Sequence, residues 1–181
     1  MTSTQIDQQL LQQFARLFCY PDAETEQQVT NCYELLAHQD PATAEQLRSF
    51  KVFVEESASA RVEETFTATF ELQPLCHPYV AWQLCGESQQ RTLLLMKLNE
   101  LYRQHDFPAG NDLPDHLSEI LRFIGTCGDA QCHTELVVDA VIPTLNKMIS
   151  NLEKEDHPYR SLLTALNNWL CIRYEDKGVL S

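Results

Sequence analysis

Apolar residues recur at spacings of three and four along almost the whole chain, and this period is what most restricts the fold. Ile6, Leu10, Phe14, Leu17 and Phe18 share one helical face, as the 3.6-residue repeat requires. Thr4, with Asp7 three positions on, resembles a capping box opening that helix. The helix should stop at Tyr20-Pro21, because proline disfavours helical geometry in the residue before it. Val29, Cys32, Tyr33 and Leu36 carry a second stripe, and Asp40-Pro41 reads as an N-cap followed by proline at the first helical position. Leu47, Phe50 and Val54 give a third stripe, and Val62, Phe66 and Phe70 a fourth.

From Glu71 to Cys85 no single period fits. Pro74 and Pro78 interrupt the segment, so it reads as a connecting loop with a short helical piece around Tyr79 and Trp82. Helical pattern resumes from Glu87 to His105, where Leu94, Leu95, Leu98, Leu101 and Tyr102 form a band broad enough to suggest a helix central to the core. A loop over Asp106 to Asp112 follows, then a helix of about three turns marked by Leu117, Ile120, Leu121 and Ile124 and ending near Gly125 or Gly128. Val137, Val141, Leu145, Met148 and Leu152 predict a long helix kinked by Pro143, and Leu162, Leu166, Trp169, Leu170 and Arg173 predict the last. With only 5 glycines, the turn density of a β-sandwich is missing. The expected fold is therefore an all-α helical bundle, one domain over residues 1–181.

Charge and composition narrow the function. Lys and Arg number 13 against 26 Asp and Glu, a formal charge of -13, which repels phosphate backbones and anionic lipid and suits a basic partner. No nucleic-acid partner and no stable membrane insertion are expected. The first residues carry no basic segment leading into an apolar one, and the densest apolar run, Leu93 to Met96, is far too short to span a bilayer; a cytoplasmic location is the expectation. The 7 cysteines are an odd number in a chain of this size, and reduced thiols explain them.

Catalytic signatures are missing: no glycine-rich phosphate loop, no HExxH and no GxSxG. Cys76-His77 and Cys132-His133 are sequence neighbours whose side chains diverge on a helix, so neither reads as a nucleophile–base pair. Cys127, Cys132 and His133 bring soft ligands near one another, with Cys76 and His77 as a conceivable complement, but the spacing is not that of a zinc knuckle. No metal, no catalytic residue and no cofactor of its own is expected. Leu113-Pro114-Asp115-His116-Leu117 is a rigid polar corner at a helix start, where Asp115 would be favoured by the helix dipole and could accept backbone N–H bonds.

That corner, followed by Ser118-Glu119-Ile120-Leu121-Arg122-Phe123, resembles the signature of the TorD/DmsD/NarJ superfamily of redox-enzyme maturation chaperones, nearest the nitrate reductase delta subunit branch of molybdenum cofactor assembly chaperones. Arg16-Leu17-Phe18-Cys19-Tyr20-Pro21-Asp22 is similar to the family's opening helix end, and Phe66-Thr67-Ala68-Thr69-Phe70-Glu71-Leu72 to the segment before its loop. Gly86-Glu87-Ser88-Gln89-Gln90-Arg91 resembles a stretch of the nitrate reductase branch, and Asp112-Leu113-Pro114 departs from the Glu-Pro of other branches. The resemblance implies a TorD-like, non-catalytic helical chaperone, monomeric or dimeric. Such a protein binds the N-terminal, twin-arginine-like peptide of a molybdoenzyme catalytic subunit and holds it for cofactor insertion. It places that peptide against Leu113, Pro114, Asp115, His116 and Glu119, with Pro78, Tyr79 and Trp82 nearby. Two other classes fit the residues less fully: a small cysteine-rich metal- or redox-sensing regulator, and a helical hydrolase using Asp115 and His116 as acid and base.

Overall fold

The computed structural model describes residues 3–72, 76–152 and 156–174. Helix α1 spans Ser3–Leu17, α2 Thr25–Gln39, α3 Pro41–Glu56 and α4 Ser59–Phe66, which runs on into a π-helical turn at Thr67–Glu71. Then follow α5 (Val80–Cys85), α6 (Gln89–Gln104), α7 (Leu117–Thr126), α8 (Ala130–Leu136), a second π-helical turn (Val137–Val141), α9 (Ile142–Asn151) and α10 (Pro158–Tyr174). The fold is all-α, and the described residues contain no strand beyond an isolated antiparallel bridge between Tyr79 and His116.

The local signals act as expected where they need only neighbouring residues. Asp40 closes α2 by donating its N–H to the Leu36 carbonyl and opens α3, its carboxylate accepting from Ala42 N (3.1 Å) and Thr43 N (3.2 Å) with Pro41 in the first turn. The side chain of Thr4 lies outside the described residues, as does Pro74. Asp7 accepts from Gln39 Nε2 (3.0 Å) and pairs with Arg173, tying α1 to α2 and α10.

Each helix turns its apolar stripe into a shared core. α1 lies between α7 and α2, α2 packs on α3, α3 on α10, and α10 on α9. Between α3, α4 and α10 the core is aromatic: Tyr159 stands 5.0 Å from Phe50 and 4.8 Å from Phe70, ring centre to ring centre, and Phe70 is 6.1 Å from Phe18. Such tilted and edge-on pairs add about 0.5–1.5 kcal/mol each beyond their buried area.

One expectation is corrected here. The leucine-rich α6 is not central; only Leu98 and Tyr102 are buried, whereas Leu93 is 55% and Met96 64% exposed. The central position belongs to α7, which buries every residue from Leu117 to Leu121 and again from Phe123 to Gly125. The helix ends at Thr126, between Gly125 and Gly128 as expected, and Gly125 has a packing role besides. A Cβ there would lie 3.2 Å from the Gln8 carbonyl oxygen and 3.2 Å from Leu11 Cβ, so the missing side chain is what lets α1 lie against α7. Gln12 Nε2 closes the contact by donating to the Arg122 carbonyl at 3.0 Å.

The break expected at Pro143 takes the form of the second π turn. Proline has no N–H to donate and its ring clashes with the carbonyl four residues back; the Ile142 N–H instead reaches the Val137 carbonyl and the backbone widens just ahead of the ring. Helical backbone runs without interruption from Ala130 to Asn151 through the wide turn.

Gly125→Val should lower stability by about 1–3 kcal/mol, read as a shift in urea midpoint at unchanged slope. Gly128→Ala, where an added Cβ meets nothing within 4 Å, should stay within about 0.5 kcal/mol.

Candidate functional site

The corner before α7 is fixed by backbone bonds. His116 N–H donates to the Leu113 carbonyl (2.9 Å), closing a turn with Pro114 in its second position, and the Tyr102 hydroxyl holds the Pro114 carbonyl at 2.8 Å. The segment before α5 then pairs with it: Leu117 N–H donates to the Pro78 carbonyl (2.7 Å) and Val80 N–H to the Asp115 carbonyl (2.8 Å). Pro78 and Tyr79 are thus laid edge to edge against Asp115 and His116, and the Tyr79 ring meets the imidazole edge-on at 5.2 Å.

His116, not Asp115, caps α7. Its Nδ1 accepts the Ser118 N–H at 3.3 Å and lies 2.6 Å from Ser118 Oγ. With Nδ1 accepting, the neutral ring carries its proton on Nε2. Burial pushes the imidazole below its usual value, while the carboxylates of Asp112 and Glu119 pull it the other way. Asp115 is fully buried, and neither carboxylate oxygen makes a hydrogen bond of ordinary geometry. Burial raises its carboxyl above the usual range, against the opposing charge of Arg91 and the backbone N–H groups of Ala81 and Trp82 in α5. The two motif side chains do not pair with each other, so the acid–base couple a hydrolase would need is not assembled.

Beside this corner opens a cavity of about 390 Å³. Phe18, Cys19 and Tyr20 form one wall at the end of α1, and Phe66, Phe70 and Glu71 form another where α4 widens into its π turn. His77, Pro78, Tyr79, Asp112 and His116 complete the lining. The floor is aromatic, two carboxylates and two imidazoles are polar neighbours, and among the described residues no lysine or arginine lines it. Loss of hydration is the main influence raising the Cys19 thiol above its usual value, which favours the unreactive protonated form over a nucleophilic thiolate. The chemistry such a space offers is reception of an apolar segment bearing positive charge.

Of the residues singled out in the sequence, Pro78, Tyr79 and His116 line this cavity. Asp115 lies buried at the corner, and Leu113 stands 47% exposed on its turn. Pro114 is engaged through its carbonyl by Tyr102. Trp82 carries the Arg91 guanidinium over its ring at 5.4 Å, outside the cavity lining. Glu119 is buried, held by Arg122 Nη1 (2.7 and 2.9 Å) and by the Gly110 N–H (2.9 Å), where it fastens the loop before α7. The walls from Phe18 to Tyr20 and from Phe66 to Glu71 belong to segments carrying the family resemblance, the signal by which they could have been found. Asp112 and His77 carried no such signal.

A family model described as nitrate reductase delta subunit matches residues 36–165. A Bacillus subtilis (strain 168) protein bearing the name nitrate reductase molybdenum cofactor assembly chaperone NarJ is 28% identical over 160 residues, covering 84% of this chain and 85% of that one. A crystal structure from Archaeoglobus fulgidus, described as a redox enzyme maturation protein, superposes with a TM-score of 0.62 at 18% identity, over 90% of this chain and 93% of that one. At that identity the likeness concerns the fold. Among the described residues, no helix is long and apolar enough to cross a membrane.

The protonation of His116 gives the site a pH signature. Its folded value is depressed, so between the unfolded value of about 6.5 and the folded one, the unfolded chain binds more protons. Stability from this group is complete above that window and is lost as pH falls through it. His116→Asn, which keeps a capping acceptor, should flatten this acid limb in a series of melting temperatures while remaining within about 1 kcal/mol of the parent at pH 8. Asp115 acts in the opposite sense, because its raised folded value means protonation favours the fold.

Proposed function

From the premise that the chain belongs to the nitrate reductase delta subunit family, we propose that it is a molybdoenzyme assembly chaperone, a single helical domain that grips the N-terminal peptide of a catalytic subunit. In this reading the cavity beside His116 receives the peptide in the cytoplasm and keeps the subunit waiting while molybdenum cofactor is inserted. The protein acts by binding and catalyses no reaction. The client is a nitrate reductase catalytic subunit, met by the chaperone as a monomer or dimer.

The observation that carries this reading is the union of an aromatic floor with a carboxylate-bearing rim to which the described residues bring no lysine or arginine. Phe18, Phe66 and Phe70 offer apolar surface, while Glu71 and Asp112 lie where a basic side chain would reach. The overall charge of -13 would steer a basic peptide toward that rim and repel nucleic acid. Tyr79 and His116 supply an adaptable edge: a phenol whose hydroxyl is free to donate or accept, and an imidazole whose Nδ1 is already committed to Ser118. The main-chain pairing of Pro78–Val80 with Asp115–Leu117 holds that edge rigid before the peptide arrives, which reduces the ordering cost of binding.

Calorimetric titration of the full chain with a synthetic peptide from a nitrate reductase catalytic subunit's N-terminus tests the proposal. Binding should weaken with rising salt as exposed charges are screened. The double variant Glu71→Gln, Asp112→Asn should lose about 1 kcal/mol, roughly fivefold in Kd, with a shallower salt dependence. No heat from the parent chain, together with failure to recover the subunit by co-purification, would sink the proposal.

A further inference from the structure

Away from that cavity, three helix ends bring a histidine together with two cysteines that lie more than twenty residues further along the chain. His105 is the C-cap of α6, Cys127 is the C-cap of α7, and Cys132 lies in α8. The ligand atoms of these three side chains all fall within 4.8 Å of one another. His105 Nδ1 is 3.5 Å from Cys127 Sγ. Around a tetrahedral zinc ion, with bonds of about 2.3 Å to sulfur and 2.0–2.1 Å to nitrogen, neighbouring S and N ligands stand about 3.6 Å apart. The imidazole and the first thiol are therefore already spaced as two ligands on one ion.

We propose that His105, Cys127 and Cys132 form a binding site for one soft divalent cation of the zinc type. Two thiolates and a neutral imidazole are the donors such ions prefer, and they would cancel its double charge. Neutrality matters because Cys127 is buried and Cys132 half-buried beside Tyr102, Phe123 and Leu136, where an uncompensated charge is costly. Each thiol gives up its proton as the ion binds.

The surroundings hold the donors in place. The His105 ring packs edge-on against Phe123 at 5.6 Å. Asp106, directly after it, turns the chain away with a positive φ of 50°, a conformation aspartate tolerates better than most residues. Asp129 N–H donates to Cys127 Sγ at 3.4 Å, the kind of outer hydrogen bond that steadies a sulfur ligand. A cavity of about 250 Å³, lined by both His105 and Cys127, would give water or a further ligand a way to complete the ion's coordination.

No metal is expected from the sequence, and its set of near neighbours, Cys127, Cys132 and His133, is not the set that meets in space. His133 Nε2 lies 2.7 Å from the Cys127 carbonyl oxygen, so that ring braces the backbone while His105 faces the sulfurs. Cys76 is no complement, its thiol directed to the Met148 carbonyl at 3.7 Å. A disulfide between Cys127 and Cys132 would use two of the three donors and leave the imidazole's approach without a role.

The test is titration of the full, reduced, chelator-stripped chain with Zn(II) and with Co(II). One ion per chain is expected by elemental analysis, with the near-ultraviolet sulfur-to-cobalt charge-transfer band and the visible intensity of a tetrahedral site. His105→Ala, Cys127→Ser and Cys132→Ser should each weaken binding at least about 10-fold, since lost outer partners alone cost 10–100-fold. His133→Gln and Cys85→Ser should not. His105 is exposed, so its variant keeps the test decisive even if a cysteine variant fails to fold. Sub-stoichiometric metal, a missing charge-transfer band, or loss on His133→Gln rather than His105→Ala overturns the proposal. So does a reduced chain that binds no ion and closes a Cys127–Cys132 disulfide in air. None of these readouts involves the client peptide, so this proposal and the chaperone reading fail separately.

Discussion

Two backbone hydrogen bonds, Leu117 N–H to Pro78 O and Val80 N–H to Asp115 O, are the constraint on which the rest of the site depends. They join segments far apart in the chain, each of which would otherwise be a loop over the surface. On one side they set where α5 begins; on the other they aim α7 into the centre of the bundle. Prolines at 78 and 114 fit this arrangement because each contributes only its carbonyl, to Leu117 and to Tyr102 respectively, and neither needs the N–H it lacks. The corner is rigid because its backbone groups are satisfied from three different elements.

The side chains at that corner are more costly than its backbone. A buried carboxylate with no well-formed hydrogen bond disfavours the folded state, and Asp115 is such a group. Glu119, a few residues on, shows what a buried carboxylate looks like when the fold satisfies it, with Arg122 and the Gly110 N–H in contact. The contrast within one turn of helix separates a residue that fastens a loop from one whose burial stability does not explain. Local rules tend to be broken where a protein does its work.

How far the sequence could be read followed the range of the interaction involved. Asp40 and Pro41 were legible because a cap needs only the next few residues. The all-α class was legible because a period of three and four is a property of each segment alone. The placement of α6 was not: its leucines define a face, but burial depends on which neighbours arrive, and Leu93 and Met96 stand more than half exposed. Gly125 lies at the helix end the sequence marked, but its packing role was hidden for the same reason, since what its missing side chain makes room for lies in α1, over a hundred residues earlier. Pro78, Tyr79 and His116 could be found by resemblance, whereas Asp112, His77 and the meeting of His105 with Cys127 and Cys132 exist only once the helices are packed.

The π turn at Thr67–Glu71 has a consequence for how this fold can vary. A wide turn amounts to one extra residue accommodated inside a helix, and one residue corresponds to about 100° of rotation in an α-helix. Removing it would leave an unbroken helix and satisfied backbone bonds, so the segment would still read as sound in any helical pattern. Yet Glu71 and everything after it would arrive a quarter-turn or more out of phase, and the wall that Phe66, Phe70 and Glu71 make together would come apart. Length here is a form of specificity: a relative one residue shorter at this point could keep the bundle and lose the shape of its cavity.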